Sequence, residues 1–174
     1  MIKLIKTNNF SKLYKDIYKL IKHNGTYIDS TQEVFNVIAT IDGTFDSVVV
    51  ADKLKINLLH VDQTDKSEFL EIRKNLTEVF HEFKISNDTR RGTFCHLYED
   101  KKYLPRCISL LHFYYREKQL NLNVYFRSSD IRRLQYDLYT INELLIHACK
   151  MLSLKIGYIN IFWGSMHEYL SNGR

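Results

Sequence analysis

The apolar residues of this chain change their spacing repeatedly along its length, and this pattern constrains the fold more than any other feature. Some segments repeat apolar residues every three or four positions, which is typical of a helix with one buried face. Other segments are β-branched or alternate between apolar and polar residues, which indicates strands. These segments do not follow strict strand–helix–strand alternation. The sequence therefore predicts an α+β domain with a largely antiparallel or mixed sheet flanked by helices.

Three helices are predicted from this spacing and from the residues that begin and end helices. Their predicted limits are Asn8 or Asn9 to Gly25, Thr64 or Asp65 to Ser86, and 136–152. Asparagine can cap the first helix and glycine can end it. The second helix has one apolar stripe with charges opposite, so we interpret the stripe as core. Its members are Phe69, Ile72, Leu76, Val79, Phe80 and Phe83.

Strands are predicted at 34–41, 44–50, 53–61, 91–98, 104–115, 120–127 and 156–163. Asp42-Gly43 is a tight-turn signal, so the first two strands should form a hairpin. Glu117-Lys118 is predicted as a second turn, and a loop is expected from Ser128 to the third helix. Alternation along the sixth strand predicts four inward residues, namely Leu120, Leu122, Val124 and Phe126.

The length of 174 residues predicts one domain, 1–174, large enough to bury a core. The net charge of +5 favours an anionic partner, either nucleic acid or a small phosphorylated ligand, although a solvated basic surface explains it equally well. No run of like charges resembles a nucleic-acid arm, so nucleic acid is the less favoured partner.

The three cysteines are widely spaced and include no CxxC pair, which argues against a disulfide framework and against a zinc site. No metal site is predicted elsewhere. The cationic N-terminus has no apolar segment behind it, and no stretch approaches the ~20 apolar residues of a membrane span. We therefore expect a cytoplasmic protein that makes no membrane contact.

Two segments place arginine or cysteine near the start of a predicted strand. Arg90 and Arg91 could together grip a phosphate, although paired surface arginines are also common without a ligand. Cys107 follows Arg106, whose charge offers a route to a lowered thiol pKa and to a nucleophilic thiolate. A lone cysteine in an apolar strand is more often inert core.

Two further segments carry polar side chains near strand ends. Arg127, Ser128 and Asp130 combine a guanidinium, a hydroxyl and a carboxylate in a pattern suited to a phosphate, or to a plain polar loop. His167 and Tyr169 stand two positions apart, so on an extended segment both could reach one sugar hydroxyl. Such a pair can also be ordinary surface.

The order and spacing of these four segments resemble thymidylate synthase and the related pyrimidine-nucleotide hydroxymethylases. In that family they read approximately as an Asp-Ser-Arg-Arg turn, a Pro-Cys-His strand, a Gln-Arg-Ser-x-Asp strand end and a His-x-Tyr segment. The resemblance is clearest over 87–169, where the counterparts are 88–91, 105–107, 126–130 and 167–169. It implies a single thymidylate-synthase-like domain with a mixed sheet.

The resemblance implies roles for the central residues. Cys107 would be the nucleophile that adds to C6 of a pyrimidine nucleoside monophosphate. Arg127 and Ser128 would hold the phosphate, and the backbone near Asp130 would lie against the base. Methylenetetrahydrofolate would supply the one-carbon unit for methyl or hydroxymethyl transfer to C5.

The resemblance also implies a homodimer, because family members share arginines between subunits. Arg90 and Arg91 would reach the phosphate site of the neighbouring subunit. His167 and Tyr169 would bind the ribose 3′-hydroxyl.

Several family elements have no counterpart in this sequence. The N-terminal phosphate loop, the folate-site insertion with paired tryptophans and the segment after His-x-Tyr are missing, and Trp163 is the only tryptophan. Asp137 lies at or beside the base-reading asparagine when the loop is shortened by one residue, whereas an ungapped alignment puts Leu138 there. An aspartate accepts from an exocyclic amine, which would favour cytosine.

Two functions stay open at this point. The chain is either a compact nucleotide C5-transferase with Cys107 as nucleophile, or a catalytically degenerate member, of viral origin for instance, that acts as a structural or regulatory module. A viral member would reside in the host cytoplasm. The retained motifs favour the enzyme, and the missing folate elements favour the module, because the family's transfer chemistry needs water excluded.

Overall fold

A seven-stranded mixed sheet forms the centre of the computed structural model, which describes residues 3–43, 63–86, 89, 91–95 and 107–170. The elements are β1 (Lys3–Thr7), α1 (Phe10–Asn24), β2 (Thr26–Ile28), β3 (Thr31–Asp42), α2 (Gln63–Ile85), β4 (Thr93–Cys95), β5 (Ile108–Arg116), β6 (Gln119–Asp130), α3 (Leu134–Leu152) and β7 (Lys155–Tyr169). The α+β class with a mixed sheet is confirmed.

The strand order is β1-β3-β7-β6-β5-β4, with β2 also paired to β3. Two neighbouring pairs, β1–β3 and β6–β7, are parallel, and the other pairs are antiparallel. Each parallel pair is joined by a crossover that contains a helix, α1 in one case and α3 in the other. Right-handed crossovers place these two helices on the same face of the sheet.

The predicted start and end of the first helix are confirmed. Asn9 caps α1, and its side chain accepts a hydrogen bond from the backbone N–H of Lys12 at 3.0 Å. Gly25 closes the helix by donating its N–H to the carbonyl of Ile21 at 2.9 Å. The predicted second helix is α2, and its stripe residues with described side chains, Ile72 to Phe83, are buried.

The core lies between the three helices and alternate residues of the central strands. All four predicted inward residues of β6 are buried, namely Leu120, Leu122, Val124 and Phe126. Trp163 on β7 is fully buried and stacks on Phe126, with ring centroids 6.0 Å apart.

The opposite face of the sheet carries two rows of side chains that run across five strands. The apolar row consists of Leu4, Ile38, Phe162, Tyr125 and Leu110, and the polar row consists of Lys6, Thr40, Asn160, Asn123 and His112. Hydrogen bonds of 3.0 Å link Thr40 to Asn160 and Asn160 to Asn123. In the apolar row Leu4 is 62% exposed and Tyr125 is 37% exposed.

The alternation of buried residues shifts by one position along a line that crosses β3, β7 and β6. Buried residues lie three apart there instead of two, in the pairs Val34 and Val37, Trp163 and Met166, and Phe126 and Ser129. These pairs are in register across the three strands. Asn36 has φ 56 on this line, and a Cβ at Gly164 would lie 2.8 Å from the carbonyl oxygen of Arg127. Between this line and the end of β6, side chains that regular alternation would point to the core therefore point to the opposite face of the sheet.

Several predicted limits need correction. The loop expected from Ser128 is wrong, because β6 continues to Asp130 through pairing with β7. Strands β1 and β2 were not predicted, and Cys107 lies just before β5. Glu117 and Lys118 form the predicted turn, both with positive φ. The predicted strands at 44–50 and 53–61 lie outside the described residues.

No helix in the described part of the chain combines the length and the apolar character needed to cross a membrane.

Candidate functional site

Cys107 and Arg127 are neighbours where β5 begins beside β6. The backbone N–H of Arg127 donates to the carbonyl of Cys107 at 2.9 Å, and both residues are exposed. The pairing of Ile108 with Phe126 fixes this contact, because both of those side chains are buried in the core. The nucleophile and the phosphate arginine implied by the resemblance therefore lie side by side.

The pairing of β6 with β7 brings the other predicted residues to the same end of the sheet. Ser128 lies opposite Ser165, and Asp130 lies opposite His167. The N–H of Ile131 donates to the carbonyl of His167 at 2.8 Å, which continues the pairing beyond Asp130. We call this group, Cys107, Arg127, Ser128, Asp130, His167 and Tyr169, the strand-end cluster.

Arg132 joins the strand-end cluster, although the sequence did not single it out. Its guanidinium donates to the Asp130 carboxylate from Nε at 2.9 Å and from Nη2 at 2.6 Å. The same guanidinium lies 5.1 Å from the ring centroid of Tyr169, and the Tyr169 ring packs edge-on against His167 at 5.2 Å. Asp130 is thus held by a neighbouring cation. The adjacent Arg132-Arg133 pair after the strand is the signal that could have indicated this contact.

Glu33 on β3 is a second residue that sequence reasoning missed. It pairs with His167 across the strands, and its carboxylate accepts hydrogen bonds from Ser165 at 2.9 Å and from Thr31 at 2.8 Å. Burial lowers the pKa of His167, while the carboxylates of Asp130 and Glu33 act in the opposite direction. Burial prevails, so the imidazole is neutral at neutral pH and can both donate and accept a hydrogen bond.

Asp137 lies in the first turn of α3, where its carboxylate accepts a hydrogen bond from the hydroxyl of Ser129. Ser129 is buried, so this contact ties the end of β6 to the start of α3. The negative charge is also favoured at a helix N-terminus. The shortened alignment assigns base reading to Asp137, and the carboxylate of this residue is thus hydrogen-bonded to another side chain of the same chain.

Arg91 lies far from the strand-end cluster of its own chain. It is exposed and precedes β4, next to Gly92, whose carbonyl accepts from the N–H of Phe113 at 2.7 Å. Phe113 and Cys107 are six positions apart, which is roughly 20 Å along the sheet. Arg90 lies outside the described residues.

Arg132 is paired with Asp130, and the Ser165 hydroxyl donates to Glu33. The other polar groups of the strand-end cluster include Arg127, the hydroxyl of Ser128 and the neutral imidazole of His167. These groups suit an anionic, hydroxyl-bearing ligand. Among the described side chains, no three histidine, cysteine, aspartate or glutamate residues lie close enough together to hold a metal ion. Two clefts lined by described residues lie elsewhere, one between β1 and α1 and one between α2 and α3.

Comparison with known proteins finds no family model that matches the chain and no matching curated protein.

Stability should fall on acidification, because burial lowers the pKa values of His112, His147 and His167. Each is neutral in the folded chain and gains a proton more readily when unfolded. As the pH falls below the ordinary value of about 6.5, the unfolded state binds more protons and the free energy of unfolding decreases. We expect His167→Gln to flatten this decrease between pH 7 and pH 5. Urea unfolding followed by Trp163 fluorescence measures the free energy of unfolding at each pH. An equal dependence on pH in both proteins would contradict the lowered pKa of His167.

Proposed function

We propose that this chain is a thymidylate-synthase-like protein that binds a pyrimidine nucleoside monophosphate at the strand-end cluster. One observation carries the proposal. Three separate sequence motifs meet at the same end of three adjacent strands, and they contribute Cys107, Arg127 and His167. A backbone hydrogen bond joins Arg127 to Cys107, and Asp130 on the strand of Arg127 pairs with His167. The order of these motifs is the one that the resemblance to thymidylate synthase requires.

Each residue has a role in this proposal that its position supports. The exposed guanidinium of Arg127 and the hydroxyl of Ser128 bind the phosphate. His167, neutral at neutral pH, and Tyr169 bind the sugar hydroxyl. Arg132 holds the Asp130 carboxylate, which keeps this end of β6 in place.

The catalytic part of the proposal is addition of the Cys107 thiolate to C6 of the pyrimidine. The sulfur–carbon bond forms as the C5–C6 double-bond electrons move towards the C4 carbonyl, or the C4 imine of cytosine. C5 then accepts a solvent proton, and loss of the original C5 proton and of the thiolate restores the ring. Transfer of a one-carbon unit to C5 would require methylenetetrahydrofolate in addition.

A second candidate is a binding module without catalysis, and the exposure of Cys107 favours it. The thiol lies at the surface, whereas the family's transfer chemistry requires a water-excluded site. The module would keep the phosphate and sugar contacts of the strand-end cluster.

A homodimer is part of the same proposal, with the apolar row of the sheet as its interface. A second copy would cover the exposed Leu4 and Tyr125, and a two-fold axis would pair the same patch on both subunits. The position of Arg91, roughly 20 Å from Cys107 along the sheet, fits a residue that serves another subunit's site better than its own.

Nucleotide binding should depend on Arg127. Calorimetry with dUMP, dCMP, UMP and CMP should detect binding, and Arg127→Ala should weaken it by about 10- to 100-fold, since hydrogen bonds to charged groups contribute ~1.5–3 kcal/mol. Arg116→Ala is the matched control, because Arg116 is an exposed arginine at the far end of β5. Absence of affinity for all four nucleotides, or equal losses in both variants, would contradict the proposed site.

Catalytic addition should release tritium from C5 of a labelled pyrimidine monophosphate into water, with or without tetrahydrofolate. Cys107→Ser should abolish release, because a serine hydroxyl is a much weaker nucleophile. Cys95→Ser should retain it, since Cys95 is likewise exposed but lies on β4. Nucleotide binding without release would instead establish the non-catalytic module.

Sedimentation equilibrium should give a mass near 41.6 kDa, twice the chain mass of 20.8 kDa. Tyr125→Glu should dissociate the dimer by placing a charge in the apolar row. Tyr27→Glu makes the same change at a 69% exposed position on β2 and should leave the dimer intact. A monomer at every concentration, or a dimer unaffected by Tyr125→Glu, argues against this interface.

A further inference from the structure

The cleft between α2 and α3 has a volume of about 540 Å³ and is strongly basic. Its lining residues are Arg73, Lys74, Thr77, Phe80, His81 and Lys84 of α2 with His147 and Met151 of α3. Every ionisable side chain in this lining is an arginine, a lysine or a histidine. We call it the basic cleft.

The described acidic side chains of α2, Glu78 and Glu82, are not in the lining of the basic cleft. They follow Arg73 by five and nine residues, about 140° and 180° around the helix, and Glu78 also neighbours Lys74, four residues before it. The buried stripe, represented by Leu76 and Phe83, occupies a third sector. The cleft therefore concentrates positive charge on a helix that also carries acids.

The length of the basic cleft exceeds that of a single nucleotide. Arg73 and Lys84 are eleven residues apart, or about 16.5 Å along the helix axis. His81 and Lys74 lie between them. A single nucleotide offers one phosphate group, so a row of this length can contact more than one phosphate of a strand.

The floor of the basic cleft is apolar and aromatic. The rings of Phe80 and His147 lie 5.9 Å apart, and Met151 beside them is 55% exposed. Burial, together with the charges of Arg73 and Lys150, lowers the pKa of His147, so its ring is neutral at neutral pH. Phe80 is too buried to stack on a base, so the cleft offers its cationic rim to phosphates and the partly exposed His147 and Met151 to unpaired bases.

We propose that the basic cleft binds single-stranded nucleic acid through the phosphate backbone. This activity is separate from mononucleotide binding at the strand-end cluster and involves different residues. Nucleic acid is the less favoured partner on sequence grounds, because the chain contains no long run of like charges. The cations of this cleft are spread over twelve positions of a helix, 73–84, so they gather only when α2 forms.

Fluorescence anisotropy with a labelled twelve-nucleotide oligothymidylate tests the proposal. Arg73→Gln/Lys84→Gln should weaken binding by about tenfold. It should also reduce the slope of log K against log salt concentration by about 1.4, from ~0.7 for each of two phosphate contacts on a single strand. Lys118→Gln/Lys155→Gln removes the same charge at the exposed β5–β6 turn and start of β7, and should change affinity less than threefold.

Three results would overturn the proposal. One is no binding of the oligonucleotide at 50 mM salt, and another is an equal loss in both double variants, which would reflect net charge alone. The third is binding to phosphatidylserine/phosphatidylcholine vesicles without binding to the oligonucleotide. If Arg73→Gln/Lys84→Gln fails to fold by circular dichroism, Lys74→Gln/His81→Gln replaces it under the same criteria.

Calorimetry with mononucleotides separates the two sites. The Arg73→Gln/Lys84→Gln protein should keep the mononucleotide affinity of the original chain, and Arg127→Ala should keep its oligonucleotide affinity. Loss of oligonucleotide binding in Arg127→Ala with retention in the cleft variant would move the polynucleotide site to the strand ends and overturn the assignment.

Discussion

The parallel hydrogen-bond ladder between β6 and β7 is the interaction on which the rest of the structure depends. It runs from Gln119 paired with Lys155 to Asp130 paired with His167, and it brings the buried rings of Phe126 and Trp163 into contact at its centre. Parallel neighbours need a crossover, and α3 provides it, with eight buried residues facing the core. Loss of this ladder would therefore remove the core and separate the strand-end cluster.

The shift in side-chain alternation at Asn36, Gly164 and Arg127 gives the strand ends their chemical character. With regular alternation the side chains of Ser128 and Asp130 would face the same way as Phe126, towards the core. The shift instead buries Ser129, which bonds to Asp137, and leaves Asp130 beside Arg132 and His167. Gly164 permits the close strand approach there, because a Cβ would lie 2.8 Å from the carbonyl oxygen of Arg127.

Elements with strong local signals were predicted from sequence, and elements defined by distant partners were not. α1 has a capping asparagine, a helical stripe and a terminal glycine, all readable within about sixteen residues. β1 has five residues and two lysines, and its strand character comes from pairing with β3 over thirty positions away. The segment from Ser128 to Asp130 has the composition of a loop, and it is a strand because it pairs with β7. For the same reason Glu33 was missed, since its partner Ser165 is 132 residues distant.

Local sequence places Cys107 near a strand start, but only the sheet places it beside Arg127, where the thiol is exposed. Phosphate and sugar contacts act well at an open surface, because charge-assisted hydrogen bonds tolerate nearby water. Nucleophilic addition with one-carbon transfer demands closure of the site. In the proposed function, the exposed thiol therefore separates nucleotide binding from catalysis. Under the proposed function, these strand ends would hold a nucleotide first, and transfer would require a second surface, such as another copy of the chain, to enclose Cys107.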